Sequence, residues 1–228
     1  MNKKLISVLA LMATIITLAN GCGAGSGTGR YSVPSEIVGP GPGTGTGTET
    51  GIVETDIDAL ISSGWEDFKY GAYSSATNKF NEALLNSSIK DAQKASAYNG
   101  LGWSLLKSSG AESAFSAFTQ ASTLDNEAKI GLASSLMTRG QKSGYQQAVN
   151  LLESLGLKET STVFTSIHPI GITNAGAHAM LAWCYFMIGD EDNARTQIIF
   201  ARAADGTADS AVSQIYNSLI AMGLTFSE

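Results

Sequence analysis

A chain of 228 residues with 43% apolar and 15% charged side chains is long enough to bury a sizeable core, as one domain or as a stack of small units, and is not a disordered polymer. Twenty acidic against 14 basic side chains leave a net charge of -6, which argues against a nucleic-acid partner, since phosphate binding needs a basic footprint. Beyond that, the acidity speaks only to solubility.

The first element in chain order reads as a processing signal. "MNKK" supplies a positive start, "LISVLALMATIITL" an apolar stretch too short and wrongly flanked for a membrane span, and "ANGC" a small-residue exit. The expectation is an exported chain. The run ending at Cys22 resembles the lipobox of bacterial lipoproteins, with Gly21 in its usual place, Ala19 where leucine is usual and Asn20 uncommon. The resemblance implies that residues 1–21 are removed, that Cys22 is acylated and that the protein is anchored in a bilayer. Gly23 after that cysteine implies the outer membrane in a cell with two membranes, and otherwise the outer face of the plasma membrane. Cys184 is the only other cysteine, so no disulfide framework is expected. Its apolar surroundings, "MLAWCYFMI", read as those of a small buried hydrophobe.

Residues 22–54 are rich in glycine, threonine and proline and cannot bury enough surface to fold. They read as a tether with a reach of about 30 Å. "GTGTGTETG" lacks the Gly-Lys-Ser/Thr that a phosphate loop requires.

From residue 55 to 228 the chain repeats itself. Four units, about 56–88, 92–124, 126–157 and 175–204, each carry a small residue in a first helix: Gly64, Gly102, Ala133 and Ala182. Each second helix then shows an alanine followed four residues later by a larger apolar side chain: Ala76/Phe80, Ala114/Phe118, Ala148/Leu152 and Ala194/Ile198. Antiparallel helices approach closely only where side chains are small, so the expectation is that the small residue of the first helix faces the alanine of the second. No unit buries its apolar faces alone, and the units must stack. A final amphipathic stretch, about 207–223, would cover the last interface.

The second unit, with Tyr98, Leu101-Gly102, Leu105, Ala114, Phe118 and Ala121 in order, resembles the tetratricopeptide repeat family. The alanine spacings of 38, 34 and 46 residues match that family's period only once. The resemblance implies an all-α fold: a right-handed α-solenoid of about four helix pairs with a C-terminal capping helix.

Trp65, Trp103 and Trp183 all directly follow the small residue of a first helix. Phe68, Leu106, Met137 and Phe186 come one turn later, and Asn99 and Ile130 about one turn earlier, on a stripe other than the one packed against the second helix. In the tetratricopeptide family the first helices line a concave surface, so the resemblance implies an aromatic groove with Lys69 and Lys107 beside it. Two placements of the indoles are open at this level. Either they pave a groove that captures an apolar or aromatic peptide segment, or they pack internally, between first helices or under the insertion at 156–174. That insertion, with its β-branched "TVFTSI" and His168-Pro169, reads as an extended loop or short hairpin.

Enzymatic chemistry is not expected. His168 and His178 have no partners at metal-ligand spacing, no Gly-x-Ser-x-Gly elbow is present, and Asp190-Glu191-Asp192 reads as a helix start. No cofactor or metal is expected. Two functions stand: a membrane-anchored adaptor of the cell envelope that binds another protein or peptide, or a binding protein for a small apolar or carbohydrate ligand.

Overall fold

The computed structural model describes residues 56–226, so the readings of the signal segment, Cys22 and the tether lie outside the described residues. All regular structure among those residues is helical: α1 (Ile57–Lys69), α2 (Tyr73–Leu85), α3 (Asp91–Ser109), α4 (Ala111–Ala121), α5 (Asn126–Thr138), α6 (Lys142–Glu153), α7 (Asn174–Ile188), α8 (Glu191–Ala204) and α9 (Ala211–Met222). None of them is long and apolar enough to cross a membrane.

Short polar side chains start several of these helices. Asp56 accepts from the Asp58 and Ala59 N–H groups, Asp125 from Ala128, Thr173 from Gly176, and Asp190 from Asn193. Each satisfies donors that a helix N-terminus otherwise leaves without a partner, worth about 1 kcal/mol per cap. Gly110, at φ 92°, makes the one-residue joint between α3 and α4, a backbone conformation that a side chain at that place would strain.

Consecutive helices pack against one another, and the first helices also touch in series, α1 with α3, α3 with α5 and α5 with α7. The arrangement is compatible with an α-solenoid. α9 closes the end by packing on both α7 and α8, where Val212, Ile215 and Leu219 are buried.

The tight crossings differ from the sequence expectation. A Cβ added to Gly64 meets the ring of Phe80 at 2.8 Å, and one added to Gly102 meets Phe118 at 2.5 Å. The glycines therefore make room for the phenylalanine of the second helix rather than facing its alanine. Gly100 and Gly131 complete the pattern, placing an added Cβ 2.2 Å from Phe80 and 2.3 Å from Phe118. Each phenylalanine is thus wedged between glycines of two successive first helices and is fully buried. Burial of such a ring stabilises by about 1.5–3 kcal/mol, and the wedge locks neighbouring pairs together as well as the two helices within a pair.

Candidate functional site

The candidate site is organised by the segment joining α6 to α7. It runs extended from Thr162 to Ser166 and then bends at Ile167 and His168, where the Ile170 N–H donates to the His168 carbonyl at 2.8 Å, without forming a hairpin. Phe164, Ser166, His168 and Ile170 are turned inward, while Val163, Thr165, Ile167 and Pro169 are exposed. Up to the bend this is the period-two alternation of an extended chain lying on a surface. The surface is the row of first helices.

At its far end the segment is bound to Glu127, in the first turn of α5. Glu127 Oε1 accepts the backbone N–H of Ile167 at 2.5 Å and of His168 at 2.8 Å. Oε2 lies 2.6 Å from His168 Nδ1 and accepts from Asn99 Nδ2, on α3, at 3.0 Å. The His168 ring stacks on Trp65 of α1, with centroids 3.6 Å apart and planes 8° from parallel. One histidine thereby ties the segment to α1 and α5, with Asn99 of α3 reaching the same carboxylate. Burial pushes the Glu127 carboxyl upward, but the His168 ring and backbone N–H, with the Asn99 amide, more than offset this and hold it below the usual carboxylate range. Burial raises the neighbouring Asp125.

The near end is fastened differently. His178 of α7, fully buried, places Nδ1 2.6 Å from Gln197 Oε1 and Nε2 3.1 Å from the Thr162 carbonyl. Gln197 Nε2 donates to the Lys158 carbonyl at 2.8 Å. Both imidazole nitrogens thus face oxygen acceptors, and a neutral ring can donate to only one of them.

The expected open aromatic groove is corrected by this arrangement. Trp103 and Trp183 are 0% exposed and Trp65 7%. Asn99, Ile130, Met137, Phe68 and Leu106 are buried with them. The cause is twofold. Trp65 and Trp103 pack edge-on against Phe80 and Phe118, centroids 5.4 and 5.2 Å apart, so they belong to the wedge between pairs. The inserted segment then covers what the first helices leave open. Phe186 and Lys107 are half-buried and Lys69 is exposed; burial brings Lys107 down to about 8.

The interior keeps several polar atoms without partners. The indole N–H groups of Trp65, Trp103 and Trp183, the Tyr145 hydroxyl and Asn99 Oδ1 make no hydrogen bond. The Trp183 N–H is close enough to draw the Tyr145 hydroxyl down against the upward push of burial, yet neither group completes a bond. Cys184 is fully buried, which pushes its thiol up and leaves it unreactive in the folded chain.

Sequence reasoning named Asn99 and the three tryptophans but missed Glu127 and the pairing role of His168. Glu127 stands one turn before Ile130 on the same α5 stripe, so following that stripe one turn further finds it. No protein-family model matches the chain, and no curated protein is significantly similar to it.

Proposed function

We propose that this protein is a lipid-anchored adaptor of the bacterial cell envelope, with tetratricopeptide-like repeats that receive an extended polypeptide segment along the first-helix row. The supporting observation is that the row already holds such a segment, the chain's own residues 162–170, through a carboxylate that accepts two consecutive backbone N–H groups. The carboxylate reads the backbone where the segment bends, while before the bend the inward side chains of Phe164 and Ser166 alternate with outward ones along the row. The indoles serve as the walls of this site rather than as exposed contacts, and the partner's segment takes the place of the chain's own.

A photo-crosslinking amino acid at position 126, exposed beside Glu127 on the row, in cells whose chain carries Ile167→Pro to loosen the tip, tests the reading. The expected result is a crosslink to one short segment of an envelope protein, stronger than from a chain with an unaltered tip. Crosslinks confined to the chain itself in both cases would overturn it. Replacing the tryptophans by alanine does not test capture, because these rings are core and their loss reads out as unfolding.

A further inference from the structure

We infer that the place occupied by His168 is a pocket for the guanidinium group of an arginine in the partner's extended segment, with His168 as its intramolecular stand-in. This deepens the peptide-receiving reading and rests on it.

The pocket's chemistry carries the assignment. Its floor is the flat face of Trp65, stacked 3.6 Å from the imidazole. Its end is the Glu127 carboxylate, 2.6 Å from His168 Nδ1, and Asp125 caps the same helix start through the Ala128 N–H. A buried carboxylate against one imidazole favours a permanent cation. Asn99, 0% exposed, donates its amide nitrogen to Glu127 but leaves Oδ1 with no donor. An imidazole has two nitrogens, and Nδ1 is already committed to Glu127. A guanidinium is planar, stacks on aromatic faces, stays charged and offers five donors in a fork. It can keep the stack and the carboxylate while also supplying a donor to Asn99 Oδ1. Lysine has charge and donors but no plane to stack. An uncharged planar residue such as glutamine stacks but brings no charge to the carboxylate.

The site is also openable. The His168 side chain is 22% exposed, and the segment beyond Thr165 is held by the Glu127 contacts, the Trp65 stack and the buried Ile170. Gly171, at φ 84°, follows immediately and supplies a joint at that end.

The first arm of the test is within the full chain. His168→Arg should melt several degrees above the unaltered protein and His168→Gln several degrees below it, and Glu127→Gln should erase the gain from arginine. An arginine variant no more stable than the glutamine variant overturns the pocket assignment. The second arm is in trans, with a full chain carrying His168→Ala and Ile167→Pro. The probes are fluorescein-labelled decapeptides of residues 162–171 bearing arginine, histidine or glutamine at position 168. Arginine should bind at least tenfold more tightly than glutamine, a preference lost with Glu127→Gln. Equal binding of all three overturns the guanidinium pocket but leaves a peptide-receiving row. Absence of binding by all three, despite a stabilising His168→Arg, overturns the peptide-receiving reading and the partner assignment with it. A dimer of the vacated chain that shuts out the peptides overturns the partner assignment in favour of segment exchange between copies.

Discussion

The two ends of the crossing segment are each held by a histidine, but by opposite physical means. At the near end His178 is fully buried and bridges a neutral amide and a backbone carbonyl inside the core. At the far end His168 keeps a solvent-facing edge and pairs with a carboxylate over an indole face. A buried network rigidifies, because any group left unpaired there keeps its full desolvation cost. At the far end the Glu127 carboxylate is itself buried and keeps its desolvation cost if left alone, so only the His168 edge faces water and a competing cation is the favoured replacement there. On the proposed reading, the near end is architecture and the far end is a latch.

Variants at the two ends should separate these roles. His178→Ala carries the largest expected effect: a cavity plus two orphaned buried acceptors should cost about 3 kcal/mol in urea unfolding. It should also expose Cys184, one helical turn and a half further along α7, to a thiol reagent that leaves the unaltered protein unlabelled; Cys184 remaining protected would mean that this end is not the seal. Glu127→Gln should cost less, about 1–2 kcal/mol, because glutamine keeps the shape and one acceptor oxygen while the charge assistance is lost.

The latch also has a pH signature. Glu127 is held below its ordinary range, so its contribution is fully present above the unfolded carboxyl value of about 4.3 and fades as pH falls through the lower folded value. The stability gap between the unaltered protein and Glu127→Gln should accordingly shrink as pH falls below about 4. A gap that persists unchanged at pH 3 would show that the charge of Glu127 is not what holds the tip.

A smaller contrast sits at one residue. Ile167 is 89% exposed but gives its backbone N–H to Glu127. Ile167→Pro deletes that donor and should destabilise the tip by about 1 kcal/mol, visible as faster hydrogen exchange at His168. Ile167→Ala keeps the donor and should stay within about 0.5 kcal/mol. Smallest of all is Lys69→Ala, whose 4.0 Å contact with Glu66 lies on the exposed surface, and no change in melting should be measurable.

How much of this was legible beforehand follows from the range of each interaction. Helix pairs and small-residue crossings are local or periodic, so the alternation of Gly64, Gly102, Ala76 and Phe80 announced them. Which side chain the glycine accommodates was not legible. Alanine and phenylalanine lie one turn apart on the same face, and only the helix crossing selects between them. The second glycine partner of each phenylalanine, Gly100 or Gly131, belongs to the next unit and carries no signal within its own.

The sequence alone determined an all-helical domain built from successive helix pairs, because apolar period, caps and glycine joints act within a few residues of one another. Tertiary structure alone decided that the tryptophans are interior and that Glu127 and His168 meet. These two residues are 41 positions apart, and no local preference directs an extended, β-branched segment across one row of helices rather than out into solvent. That choice comes from the inward side chains of Phe164 and Ile170 finding apolar cover and from His168, at the bend, finding a carboxylate.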